Sequence, residues 1–364
     1  MIFVYGPAVI TGPGSAARLP DLLPPGRVLF VTDRGVRALA DGVLAGLDAV
    51  VFDAVEPDPR RATLEAAVEA GRDAGVSAVV GFGGGSPMDV AKLAAYLLGS
   101  GDDLDAVWGV DKARGLALPL VLVPTTAGTG SEATPVSVIT LPDGEKRGVN
   151  SRALVPGHAI LDPELTLGLP RHVTAATGID AMVHAIEATT SARLRNPLST
   201  ALAAEALRLL GANLVTACDE PGNLDAREAM LVGAHLAGVA FANAPVAGVH
   251  ALAYPLARYG LPHGLTNALM LASVLRHNLP AAAPDYALMA AQVDPALRDA
   301  DGLIAALEEL IARVGLPGRL RDAGVPESDL PELAAEAMKH ERLLVNNPLP
   351  IGEADALRIY EAAW

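Results

Sequence analysis

The stretch SAVVGFGGGSPMDVAKLAAYLLGS, residues 77–100, decides the fold class. It opens on a short apolar run that reads as a strand and closes on Ala and Leu at helical spacing. Gly83, Gly84 and Gly85 lie between the two and let the chain turn sharply. A strand that feeds a helix through a tight turn is half of a βαβ unit, so its partners should be parallel strands. They lie on both sides. RVLFVTD (27–33), AVVFDAV (49–55) and LPLVLVPT (118–125) read as strands, with GVRALADGVLAGL (35–47) and TLEAAVEAGRDAG (63–75) as helices between them. The pattern implies an α/β unit with a parallel sheet. PVSVITLPDGEKRGVN (135–150) differs, because its Pro-Asp-Gly turn between extended pieces reads as a hairpin.

Around LDPELTLGLP (161–170) the pattern changes. From there to Trp364 the chain is Ala/Leu-rich with helical periodicity, clearest in 175–191, 197–215, 226–243 and 302–315. The Asp162-Pro163 step therefore marks the expected boundary: an α/β domain over 1–163 and an all-α domain over 164–364.

A chain of 364 residues with 51% hydrophobic side chains has ample material for two cores. Its formal charge of −15 repels phosphate backbones and anionic lipid, which argues against nucleic-acid and membrane partners. Cys218, the single cysteine, has no internal disulfide partner and fits a reducing, cytoplasmic setting; LGANLVTACDE around it reads as the end of a buried helix. The opening MIFVYGPAVITGPG lacks a basic region and a long apolar stretch, so it does not read as a secretory signal.

The candidate cofactor residues fall on two loops. In GGGSPMD, Ser86 is expected to cap a helix, Pro87 to fit its first turn and Asp89 to close a capping box. Such a helix N-terminus, approached through glycines, suits phosphate. On its own the motif reads equally well as a tight turn without a ligand. PTTAGTGS (124–131) also follows a strand, and parallel strands bring both loops to one carboxyl edge. There Thr125, Thr126, Thr129 and Ser131 offer hydroxyls, and Gly128 allows close approach. Asp33 closes the first strand, where a carboxylate accepts from ribose hydroxyls and repels a 2′-phosphate, which favours NAD over NADP. Asp33 also suits a helix N-cap.

Asp180 and His184 stand four apart in GIDAMVHAIEA, a spacing that puts both on one helix face. His250 and His263 follow in GVHALAYPLARYGLPHG, the first on a helical stretch and the second on a turn. Buried among Ala and Leu without a cation, four such groups would be costly to satisfy. Three imidazoles and one carboxylate suit a divalent ion such as Fe or Zn.

These motifs carry a resemblance. GGGSPMDVAK, PTTAGTGSE, ATGIDAMVHAIE, GVHALAYPL, LPHGLTNAL and the closing NNPLPIGEADALRIYEAAW, in that order, resemble the iron-dependent (group III) alcohol dehydrogenase family nearly end to end. The resemblance implies a Rossmann-like domain followed by a helical domain, a cleft active site and a homodimer. It implies metal ligands at Asp180, His184, His250 and His263, with NAD touching Asp33, Gly83 to Pro87, Thr125 to Thr129 and Lys146. The implied chemistry is hydride transfer between nicotinamide and a small alcohol or carbonyl compound, with the ion as Lewis acid. Many relatives carry a second histidine four residues after the third ligand, where this chain has Tyr254, a candidate proton relay or pocket wall. Three other readings share this outline: a hydroxyacid–oxoacid transhydrogenase, another superfamily member (maleylacetate reductase-like or dehydroquinate synthase-like), and a non-catalytic nucleotide-binding protein.

Overall fold

Nine strands in residues 5–167 build the first of two compact units of the chain. The computed structural model describes residues 3–364, and the second unit comprises Gly168–Trp364 with the segment ending at Val4. The strands are β1 (Ala8–Thr11), β2 (Val28–Val31), β3 (Ala49–Phe52), β4 (Ala78–Gly83), β5 (Gly109–Val110), β6 (Leu120–Pro124), β7 (Val136–Thr140), β8 (Lys146–Asn150) and β9 (His158–Leu161). Six of them form a wholly parallel sheet in the order β1-β9-β6-β4-β2-β3. As the reading of 77–100 expects, β4 pairs in parallel and runs into a helix, and it lies in mid-sheet.

Burial explains the apolar runs. Leu29, Val31, Val79 and Leu122 point into one core with residues of α2 (Arg61–Ala74) and α3 (Gly85–Ser100). Val28, Phe30, Val80 and Phe82 point into the core on the other face. Strands covered on both faces need hydrophobic residues at every position rather than at alternate ones. The chain runs from β2 to β3 on one side and returns to β4 on the other, so the strand order reverses between the ends of β2 and β4. Such a switch point is where open α/β sheets bind ligands.

The hairpin expected at 135–150 is present as antiparallel β7 and β8, with β5 completing a small sheet. The helix expected over 35–47 shrinks to a 3-10 turn at Arg37–Ala40 and the single turn α1 (Asp41–Leu44). Gly42 and Gly46 fall inside it, and each costs a helix about 1 kcal/mol relative to Ala. The α/β unit runs past the Asp162-Pro163 step to Leu167. Asp162 is the reason: its carboxylate accepts from the backbone N–H groups of Gly14, Ala16 and Glu164, which ties the turn after β9 to the turn after β1.

No strand follows β9 among the described residues. The second unit consists of α4 (Arg171–Thr190), α5 (Pro197–Asp219), α6 (Leu224–Asn243), α7 (Gly248–Ala253), α8 (His263–Val293), α9 (Ala300–Arg313), α10 (Leu330–Ala337), α11 (Glu341–Leu344) and α12 (Glu353–Ala363). α4 is the buried axis, enclosed from Thr174 onward and packed by α5, α6 and α8. A helix surrounded on all sides shows no polar stripe. α5 is long and apolar enough to cross a membrane by length and composition, and here it packs within this bundle. Cys218 is buried at the end of α5, and burial pushes its thiol pKa up.

Candidate cofactor and metal sites

In the α/β unit, the ends of β2, β4 and β6 bring Asp33, Gly83 and Thr125 side by side. The Thr125 N–H donates to the Gly83 carbonyl at 2.9 Å. Gly83 adopts φ +141°, and a Cβ there would lie 2.9 Å from Pro87 Cγ and 3.2 Å from Asp33 Oδ2. Only glycine fits. The Asp33 Oδ1 atom accepts from the N–H groups of Gly35 and Val36, so the residue holds its own turn while Oδ2 faces the glycine loop.

α3 begins at Gly85, two residues earlier than a Ser86 cap would allow. Gly84 is the extended N-cap residue, and no side chain among the described residues caps the helix. Its first N–H groups are thereby presented to an anion. The side chains of Thr126 and Thr129 stand over Gly84 and Gly85, so the second loop roofs the first. The Thr125 hydroxyl is buried without a hydrogen-bond partner among the described residues. A glycine cradle, an uncapped helix start and a buried hydroxyl at the switch point fit the phosphates of a dinucleotide.

Asp89 and Ser131, both cofactor candidates, are joined to each other. Asp89 accepts from Ser131 Oγ at 2.6 Å and from the Val138 N–H at 2.9 Å, and pairs with Lys92 at 3.1 Å. Lys92, fully enclosed, also donates to the carbonyls of Ser131 and Val136 and to the Thr134 hydroxyl. Burial draws its pKa down against the pull of Asp89. The pair clamps the second loop to α3. Lys92 escaped the sequence reading, although a lysine three residues after Asp89 on an otherwise apolar face was its signal. Lys146, on β8, pairs with Asp58 at 2.7 Å.

In the helical unit, Asp180, His184, His250 and His263 converge, with one potential ligand atom from each lying within 4.8 Å of the others. Asp180 and His184 come from the buried axis α4, and His250 from α7. His263 opens α8 rather than sitting on a turn, with Pro262 as its N-cap. The Nε2 atoms of His184, His250 and His263 lie 3.9, 4.0 and 3.7 Å from one oxygen, Asp180 Oδ1. These separations exceed a hydrogen bond. They approach the ligand-to-ligand edge of about 3.4 Å in a tetrahedral shell with bonds of about 2.1 Å. Burial drives the Asp180 carboxyl pKa up, but the three imidazoles and the Asn267 amide outweigh it and hold the pKa below the usual carboxylate value. One carboxylate and three imidazoles on one point fit a divalent ion.

Four supports of this cage went unread in the sequence. Glu187, three residues after His184 on α4, accepts from the Val249 N–H at 2.7 Å and from His250 Nδ1 at 2.6 Å. An ionised carboxylate only accepts, so Nδ1 carries the proton and the Nε2 lone pair faces the cage. Glu187 shares a face with Asp180 and His184, and that periodicity was its signal. Asn347, from NNPLP, accepts from the Gly248 N–H, while the Tyr360 hydroxyl on α12 donates to the Leu252 carbonyl. The C-terminal segment thus grips both ends of α7. Asn267, four residues after His263, donates from Nδ2 to Asp180 Oδ1. Tyr254 continues α7 as a 3-10 turn, its ring 5.8 Å from that of His263 and edge-on to His340 at 5.0 Å. Phe241 stacks on His184 at 4.4 Å.

Comparison with known proteins agrees with this geometry. The family model described as iron-containing alcohol dehydrogenase matches residues 7–163, and its C-terminal counterpart matches residues 174–364. The chain is 41% identical to long-chain-alcohol dehydrogenase 1 of Geobacillus thermodenitrificans, over 88% of this chain and 83% of that protein. A crystal structure of 1,3-propanediol oxidoreductase matches with TM-score 0.93 and 35% identity over 100% of both chains. Sulfoacetaldehyde reductase from Bifidobacterium kashiwanohense, solved in complex with NAD+, matches with TM-score 0.89 and 30% identity, covering 100% of this chain and 99% of that one.

Proposed function

The chain belongs to the iron-containing alcohol dehydrogenase family, and on that premise we propose that it interconverts an alcohol and its aldehyde or ketone at the Asp180-His184-His250-His263 cage. It is an NAD-linked oxidoreductase with a divalent metal as its second cofactor. The buried cage carries the reading, because a carboxylate and three imidazoles in such proximity have no other evident use in a helical core.

When bound, the divalent ion supplies Lewis acidity to the substrate oxygen and NAD carries the hydride. The chain's own residues do the rest. Glu187 keeps the His250 lone pair turned to the site. Asp33 takes the adenosine ribose hydroxyls and selects NAD over NADP. Gly83 to Pro87 and Thr125 to Thr129 hold the phosphates and ribose, and Asp89 with Ser131 and Lys92 keeps the second loop in place. Lys146, on β8 and paired with Asp58, is assigned to the same cofactor on the family resemblance alone. Tyr254 lines the substrate pocket beside His263.

Fe(II) is the favoured ion, and Zn(II) competes because such sites generally bind it more tightly. The lone buried Cys218 is in keeping with a reducing, cytoplasmic compartment, and a homodimer is assigned on the family resemblance. A panel of primary alcohols, diols, aldehydes and hydroxyacids, assayed with NAD and NADP after loading with Fe(II) or Zn(II), tests this assignment. NAD-dependent oxidation of an alcohol in the panel is the expected result. Turnover between a hydroxyacid and an oxoacid without added NAD would replace it with a transhydrogenase.

A further inference from the structure

Asn267 is fully enclosed on α8, one helical turn after His263 and therefore on the same face. Its amide nitrogen donates to Asp180 Oδ1 at 2.7 Å and lies 3.2 Å from Nε2 of both His250 and His263. One neutral side chain thus meets three of the four cage residues. Its other end behaves differently. The Oδ1 atom of Asn267 is buried with no hydrogen-bond partner among the described residues.

That asymmetry is informative. Burying an unpaired carbonyl is costly, so an amide kept for core packing alone would engage both ends or give way to leucine. Here the N–H end is used and the oxygen is not. What the amide nitrogen meets at shortest range, 2.7 Å against 3.2 Å for the two imidazole nitrogens, is the one anionic side chain of the cage. Asp180 has two equivalent oxygens and its own rotational freedom, yet the three imidazoles all face Oδ1. A donor fixed on the helix that carries His263 locks that oxygen in place, and couples the carboxylate on α4 to the ligand on α8. Aspartate is nearly the same shape, but its charge would oppose Asp180. Leucine would leave the carboxylate without its donor.

We infer that Asn267 is a positioning residue of the metal centre, whose amide N–H holds the Asp180 carboxylate in the orientation that the ion requires. The inference rests on the four-ligand assignment. Outer partners of metal ligands are typically worth about 10- to 100-fold in metal affinity.

The test uses the full chain stripped of metal. Zn(II) affinity is read by competition with a chromophoric chelator, and coordination by the visible spectrum of the Co(II)-loaded protein. Melting of the metal-free chain checks the fold. Asn267→Leu should bind Zn(II) about 10- to 100-fold more weakly, with altered Co(II) bands. Asn267→Asp should be no better than Leu, because its carboxylate faces Asp180. If Leu does not fold, Asn267→Ser is judged by the same criterion. A Leu or Ser variant with wild-type affinity and spectrum overturns the inference. So does an Asp variant that binds more tightly than wild type, which would make position 267 a ligand rather than a donor. His250→Ala separates the two levels: if it too keeps wild-type affinity, the four-ligand assignment itself fails.

Discussion

Replacing Gly264 with alanine isolates how closely α8 must approach α4 for the cage to form. Gly264 follows His263 at the start of α8. A Cβ at this position would lie 2.4 Å from the Ala176 carbonyl oxygen and 2.7 Å from its carbon. Both are backbone atoms of the buried axis α4, so no side chain can rotate away. Moving that contact out to 3.0 Å, below which real Cβ contacts are essentially never found, requires a retreat of about 0.6 Å. Metal–ligand distances tolerate only about 0.2 Å. The start of α8 is the more exposed partner, with the His263 side chain 38% accessible, so it is the part that yields. Helix propensity favours alanine by about 1 kcal/mol, but overpacking costs about 1–3 kcal/mol. If that strain is relieved by drawing His263 out of the cage, Zn(II) affinity falls about 5- to 150-fold. Chelator competition measures the affinity, and melting of the metal-free chain shows whether the fold is kept. An alanine variant that folds and binds Zn(II) as wild type does would refute the close-approach argument.

Further outcomes follow from the same geometry. Glu187→Gln removes the charge that holds the proton on His250 Nδ1, and Zn(II) affinity should drop about tenfold or more by chelator competition. Asp33→Ser removes the carboxylate facing the glycine loop; the ratio of kcat/KM for NAD to that for NADP should fall, and an unchanged ratio would take Asp33 out of the ribose site. Tyr254→Phe should leave kcat near wild type if the ring merely walls the pocket, whereas Tyr254→Ala should admit bulkier alcohols. A roughly hundredfold loss of kcat in the Phe variant would instead assign proton transfer to the phenol.

Strands β2, β3, β4 and β6, the β7–β8 hairpin and helices α2 and α3 were legible in the sequence because their signals are local, whereas the four-residue strands β1 and β9 and the two-residue β5 went unread. A strand buried on both faces needs an unbroken apolar run, as in VLFV at 28–31 and AVVGFG at 78–83, and a helix needs its own period. The four proposed metal ligands stood out for a related reason, since Asp and His in apolar helices contrast with their surroundings. Tertiary structure decided what depends on distant partners. The helix expected at 35–47 shortened because its glycines outweighed its apolar pattern, although Ala40 and Val43 still reach the core. The α/β unit ends at Leu167 because Asp162 finds its donors near residue 15, far back in the chain. Ser86 lost the cap to Gly84 because the turn geometry after β4, rather than side-chain chemistry, set where α3 begins. Glu187, Asn267 and Asn347 look like ordinary polar residues in the sequence. Their roles exist only where α4, α7, α8 and the C-terminal segment meet, since a hydrogen bond to a ligand is made across the fold and leaves no period along the chain.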